Sequence, residues 1–497
     1  MHRIPFLASL LLLLATAPAS AQLRTVVTTD GEIDDVDSFI RLLLYSNELD
    51  IEGLVYSSSM WHYKGDGAGT TMVSEMPMTR ELYGERSELR WPGEQWMQEL
   101  IAAYGEVFPT LSQHARGYPH PDSLLARVRV GNIDFEGAME RDTEGSDLIR
   151  DLLLDADTSR LYLQAWGGTN TIARALRSIE ETYAESPEWP EIRERVAGKA
   201  VIYTIMDQDA TYRGYVARAW PEIRVLYNAG QFWALAYDWK KAVPEPLHHW
   251  LEGPFMGERV INDHGPLLAA YYSYGDGQRQ AGDPEHVHGD PTRLDSAQWG
   301  SFGTYDFISE GDSPAFLHLV DVGLANQGHP AWGGWGGRLV ASDSVANRWE
   351  DAAAADDYNP YTGQADGAYA QTRWLPAIQA DFAARADWCV NAYAEANHPP
   401  EVTLEGATAR TVERREKVRL SVAATDPDGD GLFYHWWQYG EVDSYPGAAM
   451  IIQDGPRATV TVPNDIEPGQ TLHFIVAVTD GGAPSLTRYA RVVLTAR

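Results

Sequence analysis

The stretch Arg24-Thr-Val-Val-Thr-Thr29, followed at once by Asp30-Gly31-Glu32-Ile33-Asp34-Asp35 and then by the helical pattern Val36 to Leu49, decides the architecture. An apolar strand that ends in carboxylates and turns straight into a helix puts those carboxylates at the carboxyl edge of a sheet. Open α/β sheets place their ligands there. Carboxylates crowded into six residues repel one another unless a positive charge sits among them. A hard cation such as Ca²⁺, which takes oxygen ligands, resolves that repulsion. The same residues admit a plainer reading, in which Asp34 and Asp35 cap the helix and favour its positive N-terminal dipole.

Outward from this turn, Ile51–Ser57 reads as the next strand and completes a βαβ unit. Arg160–Trp166 is a further strand, Asn170–Ser186 a helix stopped by Pro187, Lys199–Met206 a strand, and Pro314–Val320 the start of a helix. Strands alternating with helices predict a mostly parallel sheet covered by helices on both faces across residues 22–396. The stretch Tyr271–Thr304, rich in Gly, Asp, Pro and Ser, reads as a long excursion over the surface. A boundary falls at Asn397-His398-Pro399-Pro400. Beyond it, short alternating strands separated by turn clusters predict an all-β, immunoglobulin-like sandwich over residues 397–497.

Residues 1–21 have the form of a signal peptide: a positive Met1-His2-Arg3, an apolar Leu7 to Leu14, and a small-residue cleavage site at Ala19-Ser20-Ala21. That apolar run is too short to span a bilayer. The expectation is an exported protein, periplasmic or secreted. The single cysteine, Cys389, permits no internal disulfide and reads as core filler in an apolar helix. A net charge of −32 argues against nucleic-acid polymers and anionic membranes as partners, and suits a neutral or cationic substrate or a bound cation. With 17 Trp and 25 Tyr there are rings enough both for the core and for stacking on sugars.

At this point the chain resembles the nucleoside hydrolase superfamily. The residues that carry the likeness are Asp30…Asp34-Asp35, Trp166-Gly167-Gly168-Thr169-Asn170 and Gly311-Asp312-Ser313-Pro314. More closely, the chain resembles a subgroup of exported bacterial proteins, described as cellulose-binding, that join a nucleoside-hydrolase-like domain to an Ig-like domain. Segments such as Arg41-Leu-Leu-Leu-Tyr-Ser-Asn47, Asp207-Gln208-Asp209 and Trp332-Gly-Gly-Trp335-Gly-Gly-Arg338 extend it over nearly the whole mature chain. The resemblance implies a Ca²⁺ site of Asp30, Asp35, the Thr169 carbonyl and Asp312. Asp30 would be the base that takes a proton from an attacking water. A substrate surface is expected from Asp34, His62, Asn170 and Glu310 by the same resemblance, and from the residues themselves at Asp207-Gln208, which follow a strand and otherwise cap a loop, and at Trp335, whose glycine-flanked ring suits a sugar face or a tightly packed turn.

This sequence departs from the family pattern in its first acidic segment, where Thr28 and Gly31-Glu32 replace family residues. It departs again at Gly311, where one subclass has its leaving-group acid. Glu310, His264 and His62 are the substitutes. Asp263, within Asn262-Asp263-His264-Gly265-Pro266, rivals Asp312 as the last metal ligand. The pair His286-Val-His288 reads as exposed, Asp426 to Gly431 as a turn, and one of Trp436 and Trp437 as core. Two functions follow as expectations. One is a calcium-dependent hydrolase of N-glycosyl or related glycosidic bonds. The other is a non-catalytic protein that binds cellulose or another plant polysaccharide. The ligand is a small glycoside or a polysaccharide in either case.

Overall fold

The computed structural model describes residues 22–497, so the expected signal peptide lies outside the described residues. The first strand, β1 (Leu23–Thr29), turns through Asp30–Glu32 into helix α1 (Ile33–Leu44). Gly31 makes that turn possible. It has φ +81°, and a Cβ there would meet Pro92 at 2.7 Å and the Trp96 indole at 2.8 Å. The expected strands follow as β2 (Leu49–Tyr56), β4 (Leu161–Ala165) and β5 (Ala200–Ile205), joined by β3 (Val128–Val130), β6 (Arg224–Asn228), β7 (Val340–Ala341) and β8 (Arg348–Glu350).

Their order is β3-β2-β1-β4-β5-β6-β8-β7, and every pair is parallel except the last. The register aligns Thr28 with Val55 and Ala165, and Ala165 with Thr204. The carboxyl ends of four central strands therefore meet along one edge. Alternate residues of β1 feed two cores, Val27 into one and Val26 into the other, as a sheet covered on both faces requires. Helix α2 (Asn170–Tyr183) packs on one face; α3 (Ser313–Leu317) and α4 (Leu375–Trp388) lie with α1 on the other.

A salt bridge with both side chains fully buried locks α1 to the chain before α3. The Arg41 guanidinium donates to Glu310 at 2.5 and 2.9 Å and to the Gln379 amide oxygen at 2.8 Å. Glu310 also accepts from the Tyr271 hydroxyl at 2.5 Å and from Ser313 at 2.7 Å.

The C-terminal part forms two four-stranded sheets. One is ordered β9 (Glu401–Leu404), β11 (Lys417–Thr425), β14 (Arg457–Thr461) and β13 (Met450–Asp454). The other is ordered β10 (Ala409–Val412), β16 (Thr487–Ala496), β15 (Thr471–Thr479) and β12 (Phe433–Gln438). Trp436 enters the core between them while Trp437 stacks beside His435. Asp426 accepts from the amides of Asp428 and Asp430, so this segment is an Asx turn.

The sandwich docks on the α/β unit through charge as well as apolar contact. Fully buried Asp357 accepts from Arg338 at 2.8 Å, Arg373 at 2.7 Å and the sandwich's Tyr439 at 2.6 Å. Trp335, expected to face a sugar, is only 1% exposed, within this packing and under the Arg488 guanidinium.

Replacing Glu310 by Ala strands the Arg41 charge in the core. The expected cost is about 3–5 kcal/mol of folding stability, read as a lower urea midpoint.

Candidate functional site

Three carboxylates gather at the sheet edge. Asp34 and Asp35 come from the first turn of α1, and Asp312 is the residue before α3. Each offers an oxygen within 4.8 Å of the others. None caps α1: its N-cap is Glu32, which makes no side-chain capping bond. Few donors reach the cluster. Asp35 accepts from the Thr29 hydroxyl at 2.5 Å, and Asp34 from the Tyr237 hydroxyl at 3.4 Å. Burial pushes all three carboxyls well above the ordinary range. Neighbouring charge adds to this: Glu32 and Asp30 act on Asp34, Asp30 and Asp312 on Asp35, and Asp34 and Asp30 on Asp312.

Asp30 behaves differently. It is 1% exposed, lies behind the cluster, and does not line the cavity above it. Burial opposes its charge, but His62, 3.6 Å away, outweighs burial and holds the carboxyl below its usual value. His62 in turn stands 3.7 Å from Asp283. Burial and Arg90 press its imidazole down, yet Asp283 and Asp30 prevail and raise it to about 9. The row Asp30–His62–Asp283–Arg90 ends on the guanidinium, 2.9 Å from Asp283. Both His62 nitrogens and Asp30 Oδ2 lack hydrogen-bond partners among the described residues.

The Gly-rich segment 271–304 is the expected surface excursion, with much of its length exposed, and it also covers the acidic turn. The Gln280 side chain donates to the Gly31 carbonyl at 2.7 Å and ties the segment over the acidic turn. His286 and His288, expected to be exposed, are thereby carried into the cavity wall. Burial and the neighbouring His288 push His286 down to about 4, and burial does the same to His288. The cavity encloses about 970 Å³, with Asp34, Asp35 and Asp312 on its floor and Trp61, Tyr83, Trp233, Tyr237 and Trp299 among its walls.

With this geometry in view, a family model described as the cellulose-binding Sde182, nucleoside hydrolase-like domain matches residues 24–339. The chain belongs to that family. A second model, for the C-terminal domain of the cellulose-binding protein Sde0182, matches residues 417–496. Among solved structures, the chain is similar to a nucleoside hydrolase-related hypothetical protein from Saccharophagus degradans associated with carbohydrate metabolism. That match has 24% identity and a TM-score of 0.70, over 96% of this chain and 100% of that one. The likeness is one of fold. A plant nucleoside hydrolase matches at 12% identity and a TM-score of 0.31, over 66% of this chain and 86% of that one. No curated protein matches the chain.

Within this Sde182-like domain the expected site residues divide into two groups. Asp34, Asp35, Asp312 and Gln208 line the cavity. Asp263 is exposed and stands outside the cluster that contains Asp312.

The others are engaged elsewhere. The Thr169 carbonyl accepts from Ala173 at 2.8 Å as the first bond of α2, so it serves the helix. The Asn170 side chain donates to Ser58 and to the Asn132 carbonyl. Asp207 accepts from the Tyr212 and Arg213 amides and the Arg213 guanidinium, which makes it a loop cap. Glu310 is held by Arg41, and His264 pairs with Asp387 at 3.2 Å, so neither supplies an acid to the cavity.

The motif Gly167-Gly168 is explained by crowding, since a Cβ on Gly167 would meet the Asp30 carboxyl at 2.7 Å. Arg90, Asp283, Trp233, Tyr237 and Trp299 carried no sequence signal, because they reach the site from three segments distant in sequence: Arg90 from one, Trp233 and Tyr237 from a second, Asp283 and Trp299 from 271–304. Arg90 alone left a structural trace, a strained φ of +44°.

The all-oxygen donor set fits a hard divalent cation. Added calcium is expected to raise the melting temperature, by the equivalent of about 2.7 kcal/mol at one hundred times its Kd. Asp35→Asn should remove that gain while raising the melting temperature in chelator, because it relieves like-charge repulsion. Differential scanning calorimetry with and without calcium checks both.

Proposed function

We propose that this protein is a calcium-dependent glycosidase acting on N-glycosyl or related glycosidic bonds in the cavity above Asp34, Asp35 and Asp312. The observation that carries the reading is an all-carboxylate floor beneath aromatic walls, in a chain of a nucleoside hydrolase-like family. Asp34, Asp35 and Asp312 would hold the cation. When bound, it would supply Lewis-acid activation of water and fixation of sugar hydroxyls.

The chain's own residues do the rest. Asp30 is the group suited to take up a proton. His62 keeps it ionised, and its Oδ2, 3.6 Å from His62 Nδ1, accepts no hydrogen bond from the described residues. His62 stays protonated between Asp30 and Asp283 and fixes both carboxylates. Carboxylates around an anomeric carbon favour the positive charge that develops as the bond breaks. Gln208 is anchored by two bonds from its amide to the Trp166 and Ile205 carbonyls, which hold it at the cavity edge. Tyr237 donates to Asp34 and orients it.

The histidines of the cavity are not suited to protonate a poor leaving group at neutral pH. His286 and His288 are neutral there, and Gly311 stands where a family acid would be.

The same observation favours a second reading, in which the cavity only binds carbohydrate. The family's printed description, cellulose-binding, agrees with it.

The deciding experiment is reducing-sugar release from aryl glycosides, nucleosides and cello-oligosaccharides, with calcium and with chelator. The glycosidase reading expects release that chelator abolishes. It also expects a loss of about 100-fold or more in Asp30→Asn, in line with removal of a general base. Retention on insoluble cellulose, with no release under either condition, establishes the binding reading instead.

A further inference from the structure

The cavity carries two features that together bear on its ligand. The first is charge. Seven carboxylates but only two arginines, Arg90 and Arg293, line it. Arg90 is taken up by Asp283 at 2.9 Å and Glu32 at 3.4 Å, and Arg293 by Asp290 at 3.6 Å. The buried guanidinium is thus committed, and Arg293, its side chain 57% exposed, stands in solvent beside Asp290. One divalent cation on the floor would still leave the lining with more negative than positive charge. An anionic ligand entering a cavity of such charge and low-dielectric walls meets repulsion from every side.

The second feature is a ladder of rings. Trp233 faces Trp299 with 5.9 Å between centroids. Trp299 stacks on Tyr237 at 6.2 Å and 24°, and Tyr237 on His288 at 5.8 Å and 29°. The Tyr237 hydroxyl donates to Asp34, so the ladder descends to the acidic floor. Trp233, Tyr237, His288 and Trp299 are all half-buried, which leaves ring surface open to the cavity. His288 has a buried Nδ1 with no partner and is neutral, so it adds polarity without charge. Trp299 comes from the segment 271–304 and the other two aromatic rings from residues 233–237. The platform therefore joins two segments, and 271–304 is held in place by Gln280 on the Gly31 carbonyl, Arg90 on Asp283 and Lys240 on the Ser301 carbonyl.

We infer that the cavity selects glycosides free of negative charge, with a sugar ring laid against Trp299 and Tyr237, and that Trp299 is a specificity-determining residue. The inference rests on the reading of this cavity as the glycoside site. It excludes uronic acids, sugar phosphates and nucleotides, whatever the bond that is cleaved.

The test is binding rather than turnover. The full mature chain, loaded with calcium, is titrated calorimetrically with cellobiose, with a glucosamine disaccharide, and with a glucuronic-acid-containing disaccharide. Cellobiose and the amino sugar are expected to bind, and the acidic sugar to bind at least tenfold more weakly, with the gap narrowing as salt is raised. Trp299→Ala should weaken cellobiose binding tenfold or more without lowering the melting temperature, and Trp299→Phe should restore most of it. Equal or tighter binding of the acidic sugar overturns the inference. So does unchanged affinity in Trp299→Ala, or no binding by any of the three. Binding in this pattern without hydrolysis sinks the glycosidase reading alone. Hydrolysis with preference for acidic glycosides sinks this inference alone.

Discussion

The buried Arg41–Glu310 pair is the constraint on which the site depends. Asp312 lies two residues beyond Glu310, while Asp34 and Asp35 lie on the same helix as Arg41. The bidentate bond, braced by Tyr271, Ser313 and Gln379, brings two distant segments to a fixed separation. Two charges with no exposure tolerate little displacement, because any loosening strands one of them in the core. That intolerance holds three mutually repelling carboxylates together.

Repulsion at the floor is answered differently on its two sides. Behind it, Asp30 and Asp283 are compensated by His62 and Arg90, which form an alternating row of charge. In front, Asp34, Asp35 and Asp312 have no cationic side chain among them and open into a large cavity. The protein thus pairs Asp30 and Asp283 with cationic side chains and leaves Asp34, Asp35 and Asp312, at the cavity, without one. A bare cluster of this kind is a local cost to folding, in keeping with a site whose partner comes from solution.

The two parts of the chain are joined by a similar device. Asp357 gathers Arg338 and Arg373 from its own side and Tyr439 from the sandwich. The Trp332–Arg338 loop serves this junction: Trp332 packs edge-on to His473, and Arg338 reaches Asp357. Aromatic residues flanked by glycines suit a sugar platform and a tight interface equally well, and only the neighbouring sheet distinguishes the two. Rings that do face the cavity come from elsewhere: Trp233 and Tyr237 from one segment, and Trp299, followed by Gly300, from the Gly-rich segment 271–304.

The sequence by itself determined the parallel α/β sheet, the β-sandwich and the acidic turn at the end of β1, while the grouping of Asp35 with Asp312 was implied only by the family resemblance. Periodicity, strand-end carboxylates and helix entries are local signals, read within ten residues of one another. Tertiary structure decided that Asp34 joins the cluster while Asp30 withdraws to His62. It decided that Glu310, Asn170 and Asp207 are spent on internal bonds, and that segment 271–304 walls the cavity. Each of those outcomes depends on what lies across space from the residue. A carboxylate that meets a guanidinium becomes structure, and the same carboxylate facing a cavity stays free to bind.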